Sequence, residues 1–380
     1  MSKPINNNSN TQTRALTANE LDAELIEQWS LLVSDSEPAN PFLSPEFILP
    51  FLENPGRQRE PIFLVCENKQ DRKLVGLGIF EHVRASRLLP LPHLIPFQCE
   101  HAFRRGFLIA KNSIPDFIDS LLSYMCNHQK RWFGIEFSEF PLEQKWSEEL
   151  GRRVKDFGCS FQLQSRFDSP SVNLTDLEED GLAGQWSSSR RKTMRRNLNR
   201  LKKHGEVNFR IMKQGQELPD ALERFLVLEH TGWKKERGTS ILSCDDDQQF
   251  VRKMVSRMAS QNRVLISELQ VGRDVAASSI NFVTDCEMFA FKIGYNEKYA
   301  EASPGLLHEV QLVDCLRESY PHITRIDGCA RPNSYLDKLW PDRIPIAEGL
   351  LSVSTFAQAV GGIMSQVRSA KQWAYGFSHE

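Results

Sequence analysis

The sequence lacks the features that place a protein in a membrane or around a metal. No apolar run approaches the roughly 20 residues that span a bilayer. The N-terminal stretch MSKPINNNSNTQTR has no apolar core of the kind found in signal peptides. The eight cysteines contain no CxxC pair, which argues against a zinc site and against a disulfide framework. We therefore expect a cytoplasmic protein that binds no metal.

An excess of charge of one sign and the common catalytic motifs are also missing. The formal net charge is −2, so the chain as a whole does not attract polyanions. The motifs GxSxG, HExxH and GxxxxGK[ST] do not occur. Gly76 and Gly78 form GLG, but Glu81 stands where a dinucleotide-binding fingerprint requires its third glycine. The expected chemistry is therefore group transfer without a metal or a prosthetic group.

Length and composition predict two folded domains. A chain of 380 residues exceeds the roughly 100–200 residues of one domain. Hydrophobic residues make up 40% of the chain, which is enough to form buried cores. Residues 1–15 are rich in Asn, Ser and Thr and predict a disordered N-terminus. Thr17 and Glu20 fit a capping box that opens the first helix.

The two halves of the chain show the same order of predicted elements. In the first half, a hairpin, a strand, a helix and a strand are predicted at 62–83, 103–110, 114–127 and 131–140. In the second half, the same four elements are predicted at 263–284, 288–295, 305–319 and 324–330. This order predicts an α+β protein with a mixed sheet and two similar units, since a doubly wound fold would alternate strands and helices regularly.

The predicted boundaries follow from this repeat. The N-terminal unit is expected at 16–165 and the C-terminal unit at 166–355. Residues 356–380 are expected to form a terminal helix and tail, because apolar residues from Phe356 to Val367 recur at helical spacing. We expect that helix to pack on the body of the protein.

The most unusual segment is SSSRRKTMRRNLNRLKKHG, residues 187–205, which predicts a helix with one strongly basic face. Its cations are Arg190, Arg191, Lys192, Arg195, Arg196, Arg200, Lys202 and Lys203. Arg191, Arg195 and Arg196 are candidate substrate-binding residues, since guanidinium groups pair well with phosphates. The phosphate would belong to a small molecule, a lipid-linked donor or CoA. A solvated basic surface and nucleic-acid binding remain alternatives.

The segment EHTGWKKERGTSIL predicts a ligand contact at the end of a helix. Trp233 and Arg237 are four residues apart and would form a stacked wall over a ligand. The alternative is that Trp233 anchors the core. We carry both residues forward as candidate substrate-binding residues.

The segment FKIGYNEKYAEASPGLLHEV predicts a strand, a turn and a helix. The strand ends at Tyr295, and the turn contains Ser303, Pro304 and Gly305. Backbone N–H groups at a helix N-terminus bind anions, so these four residues form a candidate cofactor site that would seat a pyrophosphate. Ordinary helix capping by Ser303, with Pro304 as the first helical residue, is the alternative.

The segment IDGCARPNSYLDKLWPD follows the last predicted strand. It brings Asp327, Tyr335 and Lys338 close together in the sequence. Tyr and Asp are suitable acid and base partners for acyl transfer, so Tyr335 and Asp327 are the candidate catalytic residues. Lys338 is a further candidate substrate-binding residue.

Four segments in this order resemble one family: SSRRKTMRRNLNRL, EHTGWKKERG, IGYNEKYAEASPGLLHEVQL and IDGCARPNSYLDKLW. They are similar to the cellulose-biosynthesis (CelD/BcsL-type) acetyltransferases of the GNAT superfamily, which are related to the Fem aminoacyl transferases. The resemblance implies two GNAT-like units in tandem, with the donor site in the second. It also places Ser303 to Gly305 at the CoA pyrophosphate, and Asp327, Tyr335 and Lys338 at the family's Asp and Tyr-Lys positions. The family has Lys directly after its Tyr, whereas this chain has Leu336 there.

The expected function is acyl transfer from acetyl-CoA or another acyl-CoA. The acceptor would be an amine or hydroxyl of a sugar, a polysaccharide precursor or a polar lipid. Two alternatives stay open. One is Fem-like transfer of an aminoacyl group from charged tRNA, and the other is a non-catalytic GNAT-fold partner in polysaccharide biosynthesis.

Overall fold

The structure is a computed structural model, and it describes residues 10–37, 39–54, 56 and 59–376. The strands are β1 Thr11–Leu16, β2 Ile62–Asn68, β3 Leu74–Val83, β4 His93–Pro96, β5 Phe107–Ile109, β6 Gly134–Pro141, β7 Ser160–Asn173, β8 Val207–Met212, β9 Val264–Val271, β10 Asp274–Val283, β11 Glu287–Tyr295, β12 Arg325–Asp327 and β13 Asp342–Ser352. The helices are α1 Ala23–Asp35, α2 Pro45–Leu52, α3 Ile114–Asn127, α4 Lys145–Arg153, α5 Gly181–Gly184, α6 Ser188–Lys202, α7 Glu217–Glu229, α8 Gly232–Glu236, α9 Asp245–Ser260, α10 Pro304–Ser319 and α11 Thr355–Gly376.

The described residues divide into two compact units. Unit 1 takes in the chain up to residue 45, then 59–167 and the segment from 345 onward. Unit 2 takes in 46–58 and 168–344. Each unit has buried apolar clusters of its own, which is the arrangement expected when a chain exceeds the size of a single core.

Unit 1 is built on a mostly antiparallel sheet. β2 and β3 form a hairpin, and β1 pairs antiparallel with β2. Both β4 and β5 pair with β3, β4 runs parallel to β6, and β13 pairs antiparallel with β6. Helix α3 buries Phe117 and Leu121 in the same apolar cluster as Phe107 and Trp146. This cluster is the core of the unit.

Unit 2 has its strands in the order β7-β12-β11-β10-β9-β8. Neighbouring strands are antiparallel except β11 and β12, which are parallel. Helix α10 lies between β11 and β12 in the sequence and makes the crossover that a parallel pair requires. Its residues Leu312 and Leu316 are fully buried beside Trp340. The mixed sheet therefore brings the end of β11, the start of α10 and the segment after β12 into one unit.

The predicted repeat of element order is observed. Unit 1 has the hairpin β2–β3, then β5, α3 and β6, and unit 2 has the hairpin β9–β10, then β11, α10 and β12. Unit 1 has the short β4 in addition, and both β5 and β11 pair with the second strand of the hairpin before them. The α+β mixed sheet with two similar units is therefore confirmed.

The N-terminus differs from the sequence-based expectation. Residues 1–9 lie outside the described residues, but Thr11–Leu16 forms β1, so the predicted disorder of 1–15 is wrong for its second part. The strand forms because all six of its residues pair with β2, which compensates for its polar sequence. The capping box of Thr17 and Glu20 is present, but it opens a 3-10 turn, and α1 is capped by Asp22 instead.

A second difference concerns the segment 46–54, which was expected in the N-terminal unit and lies in unit 2. Phe47 is fully buried, and its ring packs edge to face against Phe250, Phe282 and Phe291. Glu46 forms an ion pair of 2.8 Å with Arg263. Likewise, the part of β13 from residue 345 lies in unit 1 and not in the predicted range 166–355. Contacts between distant parts of the sequence determine both placements.

The predicted terminal helix is present as α11, although its apolar stripe is not packed as expected. Phe356, Ile363 and Val367 are exposed, while Ala357 on another face is fully buried. The Phe356 ring packs edge to face against Phe133, so the helix contacts the rest of unit 1 near its start. Within the described part of the chain, no helix has the length and apolar character needed to cross a membrane.

Candidate active site

Strand β11 is paired on both sides only at its beginning. β10 accompanies it to Tyr295, whereas β12 pairs only with Glu287–Phe289. β12 leaves β11 after Asp327, while the Gly328 N–H still bonds to the Pro170 carbonyl of β7. A Cβ at position 328 would lie 2.5 Å from that carbonyl oxygen, so only glycine fits. Residues 290–295 therefore have a free edge among the described strands, and a free edge can pair with an extended ligand.

The end of α7 lies close to this free edge. A Cβ at Gly294 would be 3.1 Å from the Glu229 Cα, so glycine permits the approach. The Lys234 ammonium donates hydrogen bonds to the Ile293 carbonyl and to Glu229, each at 3.0 Å. Glu229 is buried and also accepts the Ile241 N–H at 2.9 Å. These contacts fix one cation at the edge of β11.

The turn before α10 leaves a helix N-terminus open. Ser303 has a positive φ of 49° and its side chain makes no capping hydrogen bond, so ordinary side-chain capping is not observed. Pro304 has no N–H to satisfy. The N–H of Leu306 bonds to the Ser303 carbonyl, but the Gly305 N–H has no acceptor among the described residues. An unpaired N–H at the positive end of a helix attracts an anion.

These elements enclose a pocket of about 590 Å³. Its walls are the free edge of β11, the end of α7 with Lys234, the turn at Ser303–Gly305 and the ring of Tyr335. The pocket thus combines a free strand edge, an open helix N-terminus and a phenol. Together these groups can hold an extended, anionic ligand and bring one end of it to a proton-transferring side chain.

Tyr335 forms a hydrogen bond that links the pocket to a buried carboxyl group. Although 46% of the Tyr335 surface is exposed, its hydroxyl donates to Glu309 Oε1 at 3.2 Å. Glu309, on α10, is only 3% exposed, and its Oε2 has no hydrogen-bond partner among the described residues. Burial raises the pKa of Glu309 to about 7. Burial of the hydroxyl and the adjacent carboxylate raise the pKa of Tyr335 well above its usual value.

His308 precedes Glu309 and is fully buried. Its Nε2 lies 2.9 Å from the Ser267 hydroxyl, and its Nδ1 lies 4.0 Å from Glu309 Oε1. Burial lowers the pKa of His308 to about 4, so the ring is neutral at pH 7. It therefore provides no positive charge to pair with Glu309.

The pocket brings together five of the residues selected from the sequence. Tyr295, Ser303, Pro304, Gly305 and Tyr335 all line it. The four candidate cofactor-binding residues and one candidate catalytic residue therefore share one cavity. Their roles in binding and catalysis remain predictions.

Asp327, the second candidate catalytic residue, does not line the pocket. It pairs with Phe289, whereas the pocket begins farther along β11, at Phe291. Its side chain is 1% exposed and accepts the Cys329 N–H at 2.8 Å, a contact that supports the turn after β12. The structure thus gives Asp327 a structural contact where the sequence suggested a catalytic one.

The candidate substrate-binding residues lie outside the pocket lining. Arg191, Arg195 and Arg196 are exposed on α6, and Lys338 and Arg237 are exposed in other segments. The side chain of Trp233 lies outside the described part of the structure. Among the described residues, these candidates therefore do not lie together in the pocket.

Three residues of the site were not selected from the sequence: Glu229, Lys234 and Glu309. Glu309 leaves little signal in LLHEVQLVDCL, because His308, Gln311 and Asp314 are further polar residues of the same stretch. Glu229 and Lys234 leave none, because their contact depends on how α7 approaches β11. Among the described residues, no group of three or more His, Cys, Asp or Glu side chains has the arrangement of a metal site.

The sequence family described as acetyltransferase (GNAT) domain matches residues 188–330, which include α6 to β12 and the whole turn before α10. These residues form a GNAT acyltransferase domain. The free edge of β11 and the open N-terminus of α10 therefore belong to that domain. As the sequence predicts, the chain contains a GNAT-type acyltransferase domain.

Solved structures share the fold over most of the chain. FemX has a TM-score of 0.56 and 10% identity, covering 93% of this chain and 100% of its own. The C-terminal domain of an Agrobacterium fabrum protein named for lysylphosphatidylglycerol synthesis has a TM-score of 0.53 and 15% identity, covering 91% and 96%. The structure of L-PGS from Bacillus licheniformis has a TM-score of 0.51 and 14% identity, covering 90% and 97%. No curated protein matches the chain. At these identities the likeness concerns the fold, and the predicted GNAT fold is confirmed.

Proposed function

We propose that unit 2 binds an acyl-CoA and transfers its acyl group to an amine or a hydroxyl. The acceptor would be a sugar, a polysaccharide precursor or a polar lipid headgroup, as the resemblance to the CelD/BcsL-type acetyltransferases implies. Acetyl-CoA is the donor we expect. Tyr335 would face the reacting thioester.

The observation that carries this proposal is the junction of a free strand edge and an open helix N-terminus in one pocket. At this edge the Ile293 carbonyl already accepts the Lys234 ammonium, and the other outward backbone groups of 290–295 would pair with the amides of an extended pantetheine arm. The Gly305 N–H and the helix dipole favour the pyrophosphate at the other end of the arm. In an acyl-CoA the acyl group, the pantetheine amides and the pyrophosphate follow one another in this order.

Transfer from a thioester needs a group that takes the acceptor proton and a group that protonates the departing thiolate. Tyr335 is the titratable side chain of the segment after β12 that lines the pocket. Its phenol stays protonated at neutral pH, because its pKa lies well above the usual value. It can therefore supply a proton to the thiolate.

Isothermal titration with acetyl-CoA tests the proposal. We expect saturable binding with a Kd between about 1 μM and 1 mM, the usual range for enzyme substrates. Acetylpantetheine, which lacks the pyrophosphate, should bind at least about tenfold more weakly, since the helix N-terminus would have no anion to bind. The proposal fails if acetyl-CoA does not bind, or if both compounds bind equally well.

Aminoacyl transfer from charged tRNA is the second candidate, and helix α6 is the observation that favours it. Seven cationic side chains on α6 and at the residue after it are exposed: Arg191, Lys192, Arg195, Arg196, Arg200, Lys202 and Lys203. None of them forms an ion pair with a described residue. The FemX, Agrobacterium fabrum and L-PGS structures named above share the fold of this chain. Such a surface fits a phosphate backbone.

Replacing Arg191 and Arg195 together by Ala tests this second candidate. If α6 binds tRNA, affinity should fall and the slope of log K against log salt should decrease by about 1.5 to 2, since two phosphate contacts are lost. Acetyl-CoA affinity should stay within about twofold, because α6 does not line the pocket. Equal tRNA affinity and salt slope in the variant and the wild type would remove the candidate.

A further inference from the structure

Glu309 is a buried carboxyl group of unit 2 to which the proposed function gives no role. Its carboxyl is 3% exposed and lies on the inner side of α10. One oxygen accepts the Tyr335 hydroxyl at 3.2 Å, and the other has no partner among the described residues. A buried carboxyl with an unpaired oxygen is costly to keep, so a role in the chemistry is a natural reason for it.

The charged and titratable groups around Glu309 lie on its own helix and on the pocket side. His308 on the same helix is neutral because burial lowers its pKa to about 4. No Lys or Arg of the described chain forms an ion pair with Glu309. On the pocket side, Tyr335 contacts it directly, and the pocket's other charged side chains are Glu229, Lys234, Lys292 and Glu297. Tyr335 is therefore the route by which a proton can pass between Glu309 and the pocket.

We infer that Glu309 and Tyr335 form a proton relay, in which Tyr335 contacts the reacting atoms and Glu309 acts through it. This inference rests on the proposed acyl transfer. Tyr335 is the catalytic residue of the relay, and Glu309 is a positioning residue that stores the proton. The carboxylate takes the place that the sequence suggested for Asp327.

Over one turnover the relay neither gains nor loses a proton. The acceptor gives its proton to the Tyr335 oxygen while the Tyr335 proton passes to Glu309, and the acceptor atom bonds to the acyl carbon. The carbon–sulfur bond then breaks, and the thiolate takes a proton from Tyr335, which recovers one from Glu309. The products are the acylated acceptor and the free thiol of CoA, and both side chains return to their starting states.

The relay makes the rate depend on the ionisation of Glu309. Burial raises the pKa of Glu309 to about 7, and only its carboxylate can accept a proton. We expect kcat/KM to rise with pH, to reach half of its plateau near pH 7 and to level off about one pH unit higher. In Glu309→Gln this rise should disappear, kcat should fall at least about tenfold, and acetyl-CoA affinity should stay within about twofold. Glu318→Gln, an exposed position on the same helix, is the control and should match the wild type.

A double variant distinguishes the relay from a purely structural role. If Glu309 acts through Tyr335, adding Glu309→Gln to Tyr335→Phe should lower kcat by less than about twofold further, since the path is already cut. Independent, multiplying losses would overturn the relay, as would a pH rise that survives Glu309→Gln. Failure of acetyl-CoA to bind the wild type would overturn the proposed function and the relay together. Intact binding with an unchanged pH profile would overturn the relay alone.

Discussion

Tyr335→Phe should lower kcat by about 100- to 10,000-fold, the usual contribution of a general acid–base group. The substitution removes only the hydroxyl, which lies 3.2 Å from Glu309, and leaves the ring on the pocket wall. Acetyl-CoA affinity should therefore change little. Single-turnover rates with an amine and a hydroxyl acceptor measure the chemical step directly.

Tyr320→Phe is the matched control for this variant. Tyr320 lies at the C-terminal end of α10, outside the pocket lining, and its ring packs under the Lys213 ammonium. Its variant should keep the wild-type rate. A Tyr335→Phe variant with nearly full kcat would show that Tyr335 only anchors the segment after β12.

Gly305→Asp should weaken acetyl-CoA binding by about 100-fold. The new carboxylate would stand at the seat proposed for the pyrophosphate, and like charges about 4 Å apart repel by up to about 4 kcal/mol at an effective dielectric constant near 20. The backbone tolerates the side chain, since an added Cβ would meet only Ile293 and Tyr295 at ordinary distances of 3.8 and 3.9 Å. An acidic residue in the first turn also suits the helix dipole.

Gly305→Asn is the isosteric control, because it adds the same bulk without the charge. Titration calorimetry of both variants separates repulsion from crowding. We expect the Asn variant to lose less than about tenfold in affinity. Equal affinities for the Asp and Asn variants would place the pyrophosphate elsewhere.

Strong periodicity explains what was predictable in the fold. The helix expected at 114–127 is observed as Ile114–Asn127, and the hairpin expected at 62–83 matches β2 and β3. The helix repeats its apolar residues at helical spacing, whereas β2 and β3 are short apolar runs buried along most of their length. β4, with four residues, is too short to leave such a pattern, and the segment around Phe47 joins unit 2 through contacts with residues about 200 positions away.

The site was predictable where a backbone feature defines it. The Ser-Pro-Gly turn after a strand predicts a helix N-terminus, and the structure shows it open and in a pocket. Glu309 was missed because a charged residue in a helix is usually on its solvent side. Asp327 was selected on sequence proximity to Tyr335, but the register of β12 against β11 places it level with Phe289, before the pocket begins.

A crystal structure of the protein with bound CoA tests the central claim most directly. We expect the pyrophosphate within about 3 Å of the Gly305 nitrogen, and the pantetheine amides paired with the free edge of β11 at 290–295. The sulfur end should point toward Tyr335. CoA bound instead along α6, or a pocket that stays empty at saturating CoA, would contradict the account.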